Sequence, residues 1–557
     1  MRILADSRLK ICVLCLCLFS APVQAAAGVA SAHPLATAAG IRVLKQGGNA
    51  FDAAVAVTAT LAVVEPAGSG LGGGGFWLLY DADEEKSMML DGREKAPLAA
   101  TRDMFLDEKG NRVPHLSIDG GLAAAIPGEP AALVWLAKNM GKFPLTLSLL
   151  PAIEAAREGF VAGKRFHRLM NWRADVIRMS PAAAEIFLVN GQVPQVGDRI
   201  IQEDLADTLW TLAVRGHDGF YSGEMAKRLV EGVRQAGGIW TLEDLAEYQV
   251  VPREPVELEF NGMKVVSASL PSSGGLVLAE ILNILENHDL SSMDRVDFVH
   301  VLVEAMRRGY RDRAQYMGDP GFVEVPAAML QDKYYARGQN QSLRMDRATP
   351  SNHLAPTWTD AGVGEDTTHF SVIDEDGNMV AATLSINYPF GSGVVPPGTG
   401  VLLNDEMDDF SAKPGEPNAY GLVGARANAI EPGKRMLSSM SPTFLETGDR
   451  VAVLGTPGGS RIISMVALAA LEFYRGQNAE KMVNRPRFHH QYLPDSIQME
   501  PGALSEDVIS RLEERGHEFK PLSRTWGNMQ VVILDRESGA VTAASDNRGE
   551  GAARVLF

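Results

Sequence analysis

Two hydrophobic rhythms alternate along the chain. Residues 36–44 and 52–64 carry apolar positions at helical spacing; the first run closes on Gly47-Gly48 and the second on Glu65-Pro66, with Asp52 placed to cap its start. Helical spacing returns at 151–157, 204–215, 225–235 and 299–313, so the middle of the chain is expected to be mostly helical, with short extended runs at 256–260 and 263–266. The other rhythm is extended. It is clearest in Asp366-Thr367-Thr368-His369-Phe370-Ser371-Val372-Ile373-Asp374 and, after Glu375-Asp376-Gly377-Asn378, in Met379 to Asn387. Both flanks are rich in β-branched and aromatic residues, and the Asp-Gly pair between them signals a turn, so a β-hairpin is predicted. Such a hairpin returns Ser385 and Asn387 to the end at which Thr367 starts. A hydroxyl at the start of a strand is ordinarily only a β-former.

Glycine punctuates the pattern at three places. Gly70-Leu71-Gly72-Gly73-Gly74-Gly75 fits the dinucleotide spacing G-x-G-x-x-G, but here a helix comes before the glycines and the strand-like Phe76-Trp77-Leu78-Leu79-Tyr80 comes after. A nucleotide site needs the opposite order. The glycines are therefore expected to permit close backbone packing under a sheet. Pro271-Ser272-Ser273-Gly274-Gly275 leads into a helix at 276–285. A strand at 451–454 runs through Gly455-Thr456-Pro457-Gly458-Gly459-Ser460-Arg461 into a helix at 462–474. Free backbone N–H groups at such a junction can cradle an oxyanion, although the local sequence alone favours a plain, tight strand-to-helix turn. Residues 338–366 are polar and hold Pro350, Pro356, Gly362 and Gly364, which is the composition of an exposed linker ending at Thr367. Residues 414–424, with Pro414, Pro417 and Tyr420, have that of a surface loop or lid.

Composition narrows the function classes. At 557 residues, 46% hydrophobic and 22% charged, the chain can build a large core. Its net charge of −17 without a basic run argues against nucleic acid and against anionic membrane surfaces. The first 25 residues have the form of a secretory signal: basic Arg2, Arg8 and Lys10, an apolar stretch too short to span a bilayer, and Val23-Gln24-Ala25 as a small-x-small cleavage pattern. All three cysteines, Cys12, Cys15 and Cys17, fall inside it. The mature chain is then expected to be periplasmic or secreted, without disulfides, thiolate catalysis or thiolate metal sites.

Further short motifs, in order, carry a family resemblance. They include His33-Pro34-Leu35-Ala36, Gly47-Gly48-Asn49-Ala50, Val64-Glu65-Pro66, Trp240-Thr241-Leu242-Glu243-Asp244-Leu245, Gly318-Asp319-Pro320, Thr367-Thr368-His369, Met407-Asp408-Asp409-Phe410, Ser438-Ser439-Met440-Ser441-Pro442-Thr443, Pro457-Gly458-Gly459-Ser460 and Arg487-Phe488-His489-His490. Each alone is weak. Their number and order, over nearly the whole mature chain, resemble the γ-glutamyltransferase (glutathione hydrolase) family of N-terminal-nucleophile hydrolases.

The resemblance implies an α/β (α+β) fold, a four-layer αββα sandwich to which both pieces of a cut precursor contribute: a signal peptide at 1–25, a large subunit at 26–366 and a small catalytic subunit at 367–557. Cleavage falls between Asp366 and Thr367. Thr367 is then the nucleophile, its new α-amine the local base, with a reference pKa of about 7.7–8.0. Ser385, where the family often has threonine, orients the hydroxyl, and Gly458 and Gly459 form the oxyanion hole. Arg93, Ser438 and Ser439 suit the α-carboxylate of a γ-glutamyl group, and Asp409, Glu406 and Asn387 its ammonium. Many relatives have glutamine where this chain has Glu406. Tyr420 matches a lid tyrosine. Glutathione and other γ-glutamyl compounds are the expected donors, water or an amino acid or dipeptide the acceptors. No cofactor and no metal are expected.

Three decoys fall away. Ser545-Asp546-Asn547 lacks the Ser-x-x-Lys and Lys-Thr-Gly partners of penicillin-binding enzymes in the mature chain. His489-His490 has no further ligands at metal spacing, so a hydrogen-bonding role is expected. Met436, Met440 and Met499 read as core or pocket filler. Two other functions stay open at the level of sequence. One is a glutaryl-cephalosporin acylase of the same family, disfavoured by a carboxylate at Asp409 placed for an ammonium. The other is a non-catalytic periplasmic solute-binding protein, which leaves Thr367, Ser385 and the glycine pair unexplained.

Overall fold

The computed structural model describes residues 26–354, 367–413, 422 and 424–557. The predicted signal segment, Asp366 and Tyr420 lie outside the described residues. Two antiparallel sheets stack at the centre. The first has seven strands in the order Ala552–Leu556, Ala27–Ser31, Thr368–Ile373, Met379–Ser385, Gly74–Asp81, Lys86–Gly92 and Val251–Arg253. The second has six, Val541–Ser545, Gln530–Asp535, Arg450–Gly455, Thr443–Glu446, Met263–Ser267 and Val256–Phe260. Each sheet takes strands from both sides of Thr367.

Period-two alternation in the central hairpin explains the layering. Phe370, Val372, Val380, Ala382 and Leu384 pack with the helices Pro34–Lys45, Ala50–Val64 and Leu145–Glu158. Ile373, Met379 and Ala381 instead share a core with Val453, Val531 and Val265 of the second sheet and with the helices Gly274–Leu285 and Ile462–Tyr474 beyond it. The layers thus run helix, sheet, sheet, helix, as expected. Burying each large side chain of these faces contributes about 1.5–3 kcal/mol. Among the described residues no helix is long and apolar enough to cross a membrane.

The hairpin pairs Thr368 with Leu384 and Ile373 with Met379. Its turn is a five-residue loop with Gly377 at φ +88°, closed by Asp374. One Asp374 oxygen accepts from the Asp376 and Asn378 backbone N–H groups. The other accepts from Ala50 N (2.8 Å), at the start of the helix Ala50–Val64. This helix begins two residues earlier than the sequence suggests. Asn49, not Asp52, is its N-cap: Asn49 Oδ1 accepts from Phe51 N and Asp52 N, and Asp52 Oδ2 accepts in return from Asn49 N at 3.0 Å. Asp52 is the third residue of a capping box rather than the cap.

The glycine run behaves as expected. A Cβ on Gly72 would strike Leu402 O and one on Gly73 would strike Ser385 O, so only glycine lets these backbones pass. The linker expectation fails for its first half. Residues up to Gln341 finish the helix Lys333–Gln341, and the following segment is docked: Thr349 N and Oγ1 donate to the buried Glu304 carboxylate, and Ser351 N donates to Asp495 at 2.7 Å. Its polar residues find ionic partners, the buried Glu304 and the half-buried Asp495, which composition alone does not reveal.

Candidate active site

The open end of the hairpin forms one wall of a small cleft. Thr367, Ser385 and Asn387 line it with Arg93, Asp409, Ser438, Ser439 and Gly459. Distant parts of the sequence meet there because four elements end at one edge. The strand Met379–Ser385 ends at Ser385, whose Oγ accepts from Asn387 N at 2.8 Å. That bond folds the chain back on itself and holds Asn387 at φ +70°. Asn387 Nδ2 donates to Asp405 O at 3.0 Å, fastening the acidic segment beside the strand end. Asn404 anchors the same segment, accepting from Ala125 N and Glu406 N and donating to Gly72 O. The 3-10 turn Glu406–Asp409 then presents Asp409.

Arg93 follows the strand Lys86–Gly92 and is 1% exposed. Three carboxylates surround it. Glu406 lies at 2.8 Å and Glu94 at 3.3 Å, and Asp409 forms an ion pair with Nη2. Burial alone would lower the guanidinium pKa, but Glu406, Glu94 and Asp409 together hold it above its ordinary value. The acids pay the opposite way. Burial pushes Asp409, Glu406 and Glu94 each up to about 7, with Arg93 opposing the rise. One guanidinium facing three carboxylates leaves the cluster suited to accept a further cation.

The serine pair sits across the cleft. Ser438 is clamped through its backbone: its N donates to Pro271 O, and its O accepts from both Ser273 N (2.9 Å) and Ser273 Oγ (2.7 Å). Ser438 Oγ accepts from Met440 N. Ser439 Oγ is buried and has no hydrogen-bond partner among the described residues, which leaves a donor free at the cleft. At the third side, Gly458 and Gly459 hold φ of +142° and +56° ahead of the helix Ile462–Tyr474. A Cβ on Gly458 would meet Met465 Cε at 2.5 Å. The backbone conformation requires glycine, while Met465 could move aside for a Cβ, and Gly459 reaches the cleft wall.

Not every expected residue lines the cleft. Glu406 lies beneath Arg93 and is fully buried, and Gly458 lies behind Gly459. Met440 lines the cleft, as a pocket filler would, and Arg313, Ser460 and Ile462 line it without having been singled out for it. Arg313 had a readable signal: it falls three residues after Tyr310 and seven after Met306, on the buried stripe of the helix Arg295–Tyr316.

The flanking motifs are structural. Buried Thr368 Oγ1 donates to Glu65 Oε2 at 2.5 Å, fixing the strand start next to Thr367. His489 contacts Ser464 and Gln491, and His490 contacts Asp495; burial lowers the two histidines to about 3 and 4. Asp546 is engaged by Arg487 and Arg548.

Known proteins resemble the chain over this whole architecture. A family profile described as Gamma-glutamyltranspeptidase matches residues 36–556. A "Glutathione hydrolase proenzyme" of Pseudomonas sp. (strain A14) is 45% identical, with 90% of this chain and 88% of the relative covered. One of Escherichia coli (strain K12) is 41% identical, covering 95% and 91%. Among solved structures, a cephalosporin acylase from Bacillus halodurans superimposes with a TM-score of 0.84 at 29% identity, covering 95% of both chains. A Helicobacter pylori gamma-glutamyltranspeptidase chain is 42% identical with a TM-score of 0.57, covering 58% of this chain and 94% of its own.

Proposed function

The chain belongs to the gamma-glutamyltranspeptidase family, and from that membership we propose an autoprocessed γ-glutamyltransferase and glutathione hydrolase whose nucleophile is Thr367. The observation that carries the reading is the convergence of Thr367, Ser385, Asp409, Ser439 and Gly459 on one cleft. In the precursor, the Thr367 hydroxyl attacks the carbonyl carbon of Asp366. The peptide C–N bond gives way to an ester, and water hydrolyses the ester to leave Asp366 as a new carboxyl terminus and Thr367 with a free α-amine. That amine, with a reference pKa of about 7.7–8.0, takes the hydroxyl proton in each later turnover. A separate histidine is unnecessary.

In turnover, the hydroxyl oxygen attacks the γ-carbonyl of the donor. The oxyanion forms against the Gly458–Gly459 backbone, where a single oriented donor contributes up to about 2.7–4 kcal/mol. The amine leaves with the proton, and a γ-glutamyl ester of Thr367 remains. Water then gives glutamate, or an amino acid or dipeptide amine gives a new γ-glutamyl amide. Asp409 pairs with the donor ammonium, and Arg93 with the Ser438–Ser439 pair receives its α-carboxylate. Glu406 acts from behind, through Arg93. The signal-like first 25 residues support export, and the cut at Thr367 supports a heterodimer of two pieces from one precursor.

A glutaryl acylase is the second reading, favoured by the likeness to the cephalosporin acylase structure. The carboxylate-rich floor of the cleft weighs against it, because a glutaryl group offers no cation to Asp409. A product assay with glutathione, with and without glycylglycine, tests the proposal. Release of glutamate, and of γ-glutamyl-glycylglycine when the dipeptide is present, is expected; absence of both products contradicts it.

A further inference from the structure

Arg313 is a buried guanidinium at the cleft that the roles above leave unused. It is 5% exposed and lines the cleft beside Asp409 and Ser439. Its Nε donates to Ser273 Oγ at 2.9 Å, and among the described residues it forms no ion pair. Burial lowers its pKa to about 10, so it stays charged at neutral pH. The contrast with Arg93 is one of available charge. Arg93 is enclosed by Glu94, Glu406 and Asp409, so a carboxylate that approaches it meets a net negative cluster. Arg313 carries a positive charge not offset by an ion-pair partner. It is near enough to Asp409 and Arg93 to couple with both electrostatically.

We propose that Arg313 is a second anchor for the α-carboxylate of the γ-glutamyl donor, acting with the unpartnered Ser439 hydroxyl. The proposal rests on the γ-glutamyl reading above. It divides the labour in the cleft: Asp409 takes the ammonium, and Arg313 supplies the positive charge that Arg93, already committed to three acids, offers only in part. Ser273 positions it, since the Ser273 hydroxyl accepts from Arg313 and donates to Ser438 O.

Three anilides separate recognition from scaffolding: γ-glutamyl, glutaryl (carboxylate without amine) and 4-aminobutyryl (amine without carboxylate). Arg313→Gln should lose about 10- to 100-fold in kcat/KM on the first two, mainly through KM, as expected for a charge-assisted hydrogen bond. The 4-aminobutyryl anilide should change by less than about threefold. Arg313→Lys should fall between wild type and Arg313→Gln, and it serves as the comparison if Arg313→Gln does not mature. Ser273→Ala, which removes the hydroxyl that holds Arg313 Nε, should show a smaller loss on the same two anilides and little change on the 4-aminobutyryl one. Equal losses on all three anilides in either Arg313 variant would overturn the anchor. Failure of the wild type on the γ-glutamyl anilide would instead sink the underlying function, so the two failures are distinct.

Discussion

Arg93 Nη1 lies 2.8 Å from Glu406 Oε2, and this contact is buried beneath the cleft, not in it. On the proposed reading, Glu406 therefore reaches substrate only through its neighbours. Asp409 pairs with an ammonium only when ionised. Burial, opposed by Arg93 and reinforced by the like charge of Glu406, holds it up to about 7. The ratio of kcat/KM for a γ-glutamyl anilide to that for a glutaryl anilide, in which the titration of the Thr367 amine cancels, should accordingly decline as pH falls through about 7. Glu406→Gln removes the like charge, so Asp409 ionises more readily and this acid limb should move to lower pH. A pH–rate profile checks it; a limb that stays put or moves up contradicts the arrangement.

The proposed pairing of Asp409 with the donor ammonium predicts a choice between donors. Removing one member of a desolvated charge pair costs about 2–5 kcal/mol. Asp409→Asn should cost that much in kcat/KM on a γ-glutamyl anilide and clearly less on a glutaryl one, which lacks the amine. Equal losses would show that Asp409 does not read the amine. Arg93→Ala is a harsher change than sequence alone suggests, because it strands Glu94, Glu406 and Asp409 together. It should weaken both substrates and lower the thermal midpoint as well.

Local chemistry made part of the site legible. The hairpin announced itself by β-branched residues around Asp-Gly, and the glycines at 72–75 and 458–459 by their density. The residues proposed to anchor substrate were legible only through the family resemblance, since an isolated Arg93 or Ser439 has no periodic signature. Arg313 sits on the buried stripe of its helix, but that spacing does not say what a buried arginine faces; Arg307 and Arg308 nearby are buried against Glu304 instead. The linker misreading has the same origin: Thr349 and Ser351 look like loop residues until Glu304 and Asp495 are brought to them by the fold.

His369, on the strand that follows Thr367, packs against the second sheet at Gly455. Its ring contacts Thr383 Oγ1 at 2.8 Å and Ser371 Oγ at 3.2 Å, and its pKa is pushed down to about 3 by burial, so it is neutral. Gly455 leaves the space for it, for a Cβ there would strike the imidazole. Gly455→Ala should cost about 1–3 kcal/mol by overpacking. A lower thermal midpoint and slower maturation are expected in a melt and a gel time course. Unchanged values for both would show that the sheets separate freely at this point.

The central claim is that Thr367 is both the point of cleavage and the nucleophile. N-terminal sequencing of the purified protein, set beside Thr367→Ala, tests it most directly. Two pieces are predicted for the wild type, the smaller beginning at Thr367, and a single inactive chain for Thr367→Ala. A different starting residue, or activity in an uncut Thr367→Ala protein, would contradict it.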